Sequence, residues 1–483
     1  MNYQLFIFKN IVLKRDRIGI FVRQQCVMQL IILAVLLSCM LPAYSKKPPV
    51  QVKNQDESAV TLQGKVVTIN LQSIVEYILK QSIDMNIKKT HIDQAKYYYK
   101  RSFAAFLPSI SGQLPVEKFQ GGEIFYGPIP VDLDRTTYRP ALFGDYQIYT
   151  GGKPIFDMWV YKHQYNRTKT SYDTALQKTL LDASKEYFEW LKNSSDVEVA
   201  NQALKEAETQ LQYNNSRLKT GFGTQLEVLQ TKTLMAERKN LLLRSENRKD
   251  TSRINLATIL NISPAMEMEP EKTFIEPLIL WDKNLTLPEL YDLSAKTRPD
   301  IKELTHLIAQ AKAEYKSSIA AMFPSVNVGG FMRGIGPEIN ALDNSSQATL
   351  SLNLNLLKNL GVGSWNDIKV AKAKIQEAIL NKEKQLNDIY KTIAQAYYDC
   401  KFYDQQLQVT KEKMEDAKEA YRIALARLKM GVGINLEAIQ AQSELTKSNL
   451  EYQTAVKDYN VSQLNLLYEC GQLTPDKILS AFK

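Results

Sequence analysis

The chain has 483 residues and carries 61 lysines and arginines against 52 aspartates and glutamates, a net charge of +9. The length allows two or three ordinary domains. The positive charge is spread along the chain, and no basic block alternates with aromatic residues, so the composition does not indicate nucleic-acid binding. The four cysteines have no CxxC spacing and indicate neither a zinc site nor a disulfide framework: Cys26, Cys39, Cys400 and Cys470.

Residues 1–45 have the pattern of a secretory signal. The apolar segment IILAVLLSCMLPAYS follows a basic stretch and ends in the small-residue cleavage site Ala43-Tyr44-Ser45. Its apolar run of about 15 residues is shorter than the roughly 20 that a spanning helix needs. Two alternatives stay open: Met28 as the start, and a lipoprotein signal with Cys39 lipidated. In either case we expect the mature protein to leave the cytoplasm, and any membrane part of it to be a barrel.

The first half of the mature chain predicts helices around a pair of strands. Residues 46–65 form an extended N-terminal segment, followed by the short amphipathic helix LQSIVEYILKQS and a helix from about 84 to 107 that Pro108 ends. Strands are predicted at about 109–116 and 140–149, with a loop between them. A helix without internal glycine or proline then runs from about 154 to 220, and a return helix runs from about 225 to 262.

The second half, after a linker at 274–287, predicts the same elements with a clearer strand pattern. Strands are expected at about 325–331 and 348–357, and within TLSLNLNL every second residue is leucine while the others are small and polar. Successive side chains of a strand point to opposite faces, so this pattern is typical of a strand between lipid and water. A soluble antiparallel hairpin is the alternative interpretation.

Two matches show that the halves are an internal repeat. RLKTGFGTQLEVLQ at 217–230 and RLKMGVGINLEAIQ at 427–440 agree at eight of 14 positions, 210 residues apart. The segments at 84–109 and 300–325 agree at 12 of 26 positions, 216 residues apart. We place repeat 1 at 66–273, repeat 2 at 288–473 and a tail at 474–483. A period of about 210 residues is far longer than that of stacked solenoid repeats, about 20–50 residues.

The matched glycine segments predict the tips of two helical hairpins, at 217–224 and 427–434. Glycine lets the chain reverse, and lysine and arginine are favoured at the helix C-termini that precede it. The helix before the strands and the return helix together match the long helix in length. We therefore expect two shorter helices stacked end to end beside one long helix, with strands at one end and tips at the other.

The strand count implies that several chains assemble. Two strands per repeat give four per chain, whereas the smallest single-chain membrane barrels have eight, and an open sheet edge is not tolerated in lipid. If these strands lie in a membrane, the barrel must be shared. Two chains would supply eight strands, and three would supply 12. A ring of three chains would place a pseudo-sixfold tube of helices under the barrel.

The secretory leader, the two repeats, the helix ends AAFLPS and AAMFPS and the tips RLKTGFGT and RLKMGVGI together resemble the TolC-type outer membrane efflux protein family. The resemblance covers about residues 66–473. It implies a mainly α fold with a small transmembrane β part, assembled as a homotrimer with a 12-stranded outer-membrane barrel and a periplasmic α-helical tunnel. It further implies a passive exit duct of a tripartite efflux or type I secretion system. Its partners would be outer-membrane lipid, a periplasmic adaptor (membrane fusion) protein and, through the adaptor, an inner-membrane pump.

The resemblance also implies two sets of site residues. The tips that would contact the adaptor correspond to Arg217, Leu218, Gly221 and Gly223, and to Arg427, Leu428, Gly431 and Gly433. The closed periplasmic end of the tunnel, acidic in members like the type protein, corresponds to Glu415, Asp416, Glu419 and Arg422. Arg422 is a departure, because it puts a basic residue where such members have acids.

The sequence indicates neither catalysis nor a cofactor. Its three histidines are scattered, and it contains no HExxH, P-loop or GxSxG motif; the GFG and GVG segments do not follow strands and are hairpin turns, not phosphate-binding loops. We therefore expect no enzyme, no metal and no cofactor. The alternative to a duct is a periplasmic coiled-coil structural or adhesin-like protein, which would need no membrane strands.

Overall fold

The computed structural model describes residues 67–122, 124–126, 129–131, 135–354 and 361–481. The predicted signal segment with Cys39, the segment 46–65, the last part of the predicted strand 348–357 and the end of the tail lie outside the described residues. The helices are α1 (Leu71–Gln81), α2 (Ile83–Ser102), α3 (Lys153–Lys219), α4 (Gln225–Ile259), α5 (Leu287–Thr297), α6 (Pro299–Ala320), α7 (Val362–Lys429), α8 (Asn435–Glu469) and α9 (Pro475–Ala481).

The two long helices α3 and α7 have 67 and 68 residues, which at 1.5 Å per residue is about 100 Å each. Each begins directly after a glycine in the left-handed region, Gly152 with φ 83° and Gly361 with φ 76°. A residue without a Cβ adopts this conformation without strain. The glycines therefore fix the point where each strand segment turns into its helix.

The strands are β1 (Val67–Ile69), β2 (Ser109–Gln113), β3 (Val116–Phe119), β4 (Ile124–Tyr126), β5 (Ile129–Val131), β6 (Arg135–Tyr138), β7 (Ala141–Thr150), β8 (Met268–Pro270), β9 (Ser325–Glu338) and β10 (Ala341–Asn353). Six of them form one antiparallel sheet, in which β2, β7, β9 and β10 follow one another in that order. Strand β6, itself paired with β3, joins the sheet by pairing with the far end of β9, where Tyr138 lies opposite Gly336. The central pair β7 and β9, in which Phe143 lies opposite Phe331, joins repeat 1 to repeat 2. β2 and β10 are the outer strands of this set.

Two features of the sheet differ from the sequence-based expectation. Much of the predicted loop between β2 and β7 is β-structure, with β3 paired to β6 and β4 paired to β5. Strand β9 also continues past its glycines to Glu338. The glycines do not end it, because they allow close backbone approach: a Cβ on Gly330 would lie 2.6 Å from the carbonyl oxygen of Gln347.

The helices pack as the length comparison predicted. Near the sheet α3 packs against α2 and α6, and α6 packs against α7. Towards the tips α3 packs against α4 and α8, and α8 packs against α7. The pairs α2 with α4 and α6 with α8 are thus the stacked shorter helices beside the long ones. None of the described helices combines the length and apolar character needed to cross a membrane.

Two apolar clusters hold the middle of the helical layer. The larger one surrounds Leu180, Phe188 and Trp190 of α3 and includes α1, the parallel pair β1 and β8, and α9. The smaller one lies in repeat 2 around Ile393 and Cys400. These clusters anchor the midpoint of the helices, so the sheet and the tips lie at opposite ends of one packed body.

Candidate functional site at the hairpin tips

The two tips have the same backbone geometry. At tip 1 the amide of Gly221 donates to the carbonyl of Leu218 at 3.2 Å, and the amide of Phe222 donates to Arg217 at 2.9 Å. At tip 2 Gly431 donates to Leu428 and Val432 to Arg427, both at 3.1 Å. Gly221 and Gly431 both have φ 78°. This is the Schellman arrangement, in which a left-handed glycine satisfies the last helical carbonyls.

The second glycine of each tip is required by close approach. The amides of Gly223 and Gly433 also donate to the carbonyls of Arg217 and Arg427, each at 3.0 Å. A Cβ on Gly223 would lie 2.9 Å from the Cβ of Arg217, and one on Gly433 would lie 3.0 Å from the Cβ of Arg427. Each GxG segment is therefore folded tightly back onto the end of its own helix.

Tip 1 is closed by polar contacts that tip 2 lacks. The guanidinium of Arg217 donates to the carbonyl of Phe222 at 2.9 Å and lies 3.8 Å from Glu227. Thr224 forms a capping box with Glu227 at the start of α4. At tip 2 the position of Thr224 is taken by Ile434, which has no capping side chain. Arg427 is exposed and makes no ion pair with any described residue.

The surface of the tips is apolar, which the sequence reasoning missed. Leu428, predicted as a contact residue, is 0% exposed and supports the tip from beneath. The most exposed large apolar side chains at the tips lie instead between the glycines or close to them: Phe222 (80%), Met430 (70%), Val432 (69%), Ile434 (65%) and Leu226 (64%). The apolar character of the variable positions within GFG and GVG was the available signal. Apolar groups gathered at a protruding end indicate a contact surface.

A buried amide cluster ties the two hairpins together next to the tips. Asn435, at the first position of α8, is 2% exposed. Its side-chain oxygen accepts hydrogen bonds from Gln210 and Asn214 of α3, each at 2.9 Å. Asn214 also donates to Thr231 of α4 at 2.8 Å. The cluster joins three helices, and the chain repeat gave no sign of it because the repeat-1 equivalent of Asn435 is the exposed Gln225.

The four predicted aperture residues lie on α7 above tip 2, and all are exposed. Glu419 and Arg422 form a two-pronged ion pair with distances of 2.6 and 2.7 Å, and this pairing lowers the pKa of Glu419. Glu415 lies 3.9 Å from Lys411. Asp416 forms no ion pair within the part of the chain that the structure describes. The unusual Arg422 therefore neutralises one of the three acids.

An open groove of about 790 Å³ lies beside these residues, between α3 and α7. Tyr213 and Lys205 line it from α3, and Tyr421, Leu425 and Lys429 line it from α7. Burial, together with the nearby Glu206, raises the pKa of Tyr421 to about 12. The hydroxyl therefore stays protonated at neutral pH, and the groove presents mixed polar and apolar groups without a catalytic arrangement.

Comparison with known families matches both repeats of the chain. The family described as outer membrane efflux protein matches residues 74–261 and 290–471. A probable efflux pump outer membrane protein of Pseudomonas putida is 22% identical over 394 residues, covering 78% of this chain and 77% of the relative. A pyoverdine export outer membrane protein of Pseudomonas aeruginosa is 23% identical over 394 residues, covering 78% and 79%.

The fold is also similar to that of solved structures. The outer membrane channel CmeC of Campylobacter jejuni superposes with a TM-score of 0.72 at 16% identity. The similarity covers 85% of this chain and 88% of the channel. At this coverage the similarity concerns the fold of most of the chain.

Proposed function

The chain belongs to the outer membrane efflux protein family, and on this premise we propose that it is the outer-membrane exit duct of a tripartite efflux or type I secretion system. It lies in the outer membrane, and its helices extend into the periplasm. It conducts cargo passively from a periplasmic adaptor and an inner-membrane pump to the exterior. The family and the fold are those of channels, a non-enzymatic class, and we propose that this chain likewise catalyses no reaction.

The observation that best supports this proposal is the antiparallel sheet. Within it, the strands β2, β7, β9 and β10 end in β2 on one side and β10 on the other, and four strands are too few to close on themselves in a membrane. Leucines share one face at the end of β10 and just after it, and all are exposed: Leu350, Leu352 and Leu354 at 72%, 64% and 56%. An apolar face on a sheet with two open edges is what a shared barrel requires, and three chains would close 12 strands.

We assign the hairpin tips to adaptor contact. The predicted residues divide into two roles: Arg427, Gly221 and Gly431 lie at the surface, whereas Leu428 supports the turn. Phe222 and Val432 join the contact set as the apolar residues at the two turns. Apolar side chains surrounded by arginine and lysine suit a partner surface that offers apolar side chains with acidic neighbours.

We assign the periplasmic aperture to Glu415, Asp416, Glu419 and Arg422, which share one stretch of α7. Repeated around a ring of three chains, such charges would tune ion passage. Because Arg422 pairs with Glu419, we expect a ring that is less acidic than its carboxylate count suggests. The repeat boundaries and the signal at 1–45 are part of the proposal, with lipidation at Cys39 as the alternative to cleavage after residue 45.

The assembly is tested by native mass. Detergent extracts of the outer membrane should contain a species of three chains that falls to one chain on boiling. A single-chain mass before boiling, or absence from that membrane, would contradict the duct and favour a periplasmic scaffold.

The adaptor contact is tested by a photo-crosslinking side chain at Val432, with the same group at Val370 as the matched control. Both valines are on repeat 2 and exposed, at 69% and 55%, but Val370 lies near the sheet. We expect crosslinks to the adaptor from Val432 alone. Equal crosslinking at both positions would contradict the tip assignment.

A further inference from the structure

One side of each repeat packs against the other repeat of the same chain. Repeat 1 contacts repeat 2 through the strand pair β7 and β9 and through α3, which packs on α6 and α8. The opposite flanks are formed by α7 and β10 in repeat 2, and by α2, α4 and β2 in repeat 1. Within the described residues these two flanks do not pack on each other. Because the repeats have the same elements, the contact inside the chain is a template for a contact between chains.

The template has a defined register between α3 and α8, which run antiparallel. Near the tips Gln210 and Asn214 donate to Asn435. One to two turns nearer the N-terminus of α3, the carboxylate of Glu206 accepts a hydrogen bond from the side-chain amide of Gln442 at 3.4 Å. Further still, Glu189 lies 3.4 Å from Lys457. The three contacts progress in opposite directions along the two helices, so one register holds over the whole contact.

The repeat offset of 210 carries Glu206 to Asp416 and Gln442 to Lys232. In repeat 2, Asp416 belongs to a stripe on α7 whose members follow each other at seven-residue intervals. The other members are apolar and exposed: Phe402 (58%), Val409 (65%), Ile423 (47%) and Met430 (70%). Apolar residues at this spacing form the seam of a coiled coil. The seam has no partner helix among the described residues.

The matching face of α4 is also exposed. Leu229 and Leu243 are 51% and 58% exposed, and Lys232 lies between them on the same side of the helix. Two counterparts on α8 are buried: Gln442, the counterpart of Lys232, is 0% exposed and donates to the carbonyl of Ala203 of α3, and Gln453, the counterpart of Leu243, is 8% exposed. The same helix face is thus buried in one repeat and uncovered in the other.

A closed ring of the proposed trimer brings α7 of one copy against α4 of a second copy. We propose that these helices meet in the register that α3 uses on α8, so that Asp416 forms an ion pair with Lys232 of that second copy. This inference rests on the trimer of the proposed function and specifies its contact surface. The register also places Phe402 against Leu243 and brings Ile423 towards Phe222 of tip 1. The occupant is a second copy, because the repeat supplies both faces and their charges are opposite.

The proposed ion pair between Asp416 and Lys232 changes the role of Asp416, which was assigned above to the aperture. In the contact within the chain, only Glu206 is charged and Gln442 is neutral. In the equivalent contact between copies, Asp416 and Lys232 carry opposite charges. Opposite charges across an interface fix register and orientation. Asp416 then belongs to the boundary between copies, and Glu415 with the Glu419–Arg422 pair is left to the aperture.

Paired cysteines test the contact in the full-length, membrane-extracted protein. Asp416→Cys with Lys232→Cys should yield covalent species of two and three chains on a non-reducing denaturing gel after mild oxidation. The matched control is Glu206→Cys with Gln442→Cys, which has the same geometry inside one chain and should link without gaining chain mass. The parent protein, whose Cys400 and Cys470 are buried, provides the unlinked reference.

The outcomes separate this inference from the proposed function. A three-chain native mass with the control linked and the 416/232 pair unlinked would overturn the register but leave the duct intact. A single-chain native mass would overturn both.

Charge reversal is the second measurement if the cysteine variant does not assemble. Asp416→Lys and Lys232→Asp should each lose the heat-resistant oligomer, and combining them should restore it. Lys418→Asp, on the same helix outside the stripe, should leave the oligomer in place. Loss in both single variants without recovery in the double variant would overturn the ion pair.

Discussion

At the scale of single residues, the most informative position is Asn435. Its side chain accepts from two amides of α3, and it also donates weakly towards Gln230 of α4 at 3.3 Å. A buried polar group without a partner is costly, so these bonds hold the two hairpins in one arrangement next to the tips.

We predict that Asn435→Ala destabilises the tip region by about 1–3 kcal/mol, because Gln210 and Asn214 would keep buried amides without their acceptor. Faster protease cleavage at the tips and a lower unfolding temperature would report this. The repeat equivalent Gln225→Ala is the control, and as an exposed change it should stay within about 0.5 kcal/mol. Equal effects at both positions would contradict a stabilising role for the amide cluster around Asn435.

Histidine pairing illustrates what a repeat comparison misses at this scale. His91 and His306 occupy nearly equivalent positions in the two repeats, one residue out of register. The structure instead brings His306 to His163 of α3, with ring centroids 6.0 Å apart. Burial, and then the neighbouring His306, lower the pKa of His163. Equivalence in a repeat relates residues that are far apart, whereas packing brings together residues that the repeat does not relate.

At the scale of elements, the strands divide into those with an alternating pattern and those without one. The leucine alternation predicted β10, which the structure extends upstream to Ala341. The short strands β3 to β6 were missed because each has only three or four residues. Segments this short form through pairing with a neighbour rather than through their own pattern.

The outward face of β10 gives a prediction about lipid. Leu352→Lys should reduce barrel assembly by about 2–4 kcal/mol if the position lies near the bilayer midplane. Thr349→Lys, on the opposite face of the same strand, is the matched control and should be tolerated. The amount of heat-resistant oligomer in outer-membrane fractions measures both. Tolerance of lysine at Leu352 would place this face in water.

The helices were the easiest elements to predict. Uninterrupted stretches of about 67 residues bounded by glycines leave little alternative to long helices, because glycine and proline are the residues that end them. Their C-terminal glycines also carry the turn geometry, so the Schellman ends of both tips follow from local sequence.

At the scale of the whole molecule, the proposed ring of three chains turns a local ion pair into a channel property. Within one chain Arg422 cancels the charge of Glu419. With this ion pair present in each of three chains, the ring of charges would have only a weak preference for cations. Exposed ion pairs contribute little to stability, so the expected consequence concerns conduction rather than folding.

We predict that Arg422→Gln increases cation selectivity, measured as the shift of reversal potential in a salt gradient across a planar bilayer. Arg422 lowers the pKa of Glu419, so its loss lets that pKa return upwards. The added selectivity should therefore be present above the ordinary glutamate range and fade as pH falls through it. Arg244→Gln on α4 removes an exposed charge elsewhere, and an equal shift there would contradict the assignment.

The duplication, the long helices, the turn glycines and the family can all be read from the amino-acid sequence alone. Each of these depends on local pattern or on comparison of one segment with another along the chain. Strand alternation likewise showed which face of β10 is apolar, because side-chain direction in a strand follows from position alone.

The packed structure was needed to show which helices touch, in which register, and which surfaces remain uncovered. The amide cluster at Asn435 joins residues more than 200 positions apart, and no local pattern encodes such a contact. Exposure decided that Leu428 supports the tip while Phe222 and Val432 form its surface. The physical reason is that burial belongs to the packed arrangement: equal helix faces in the two repeats meet a partner in one case and none in the other.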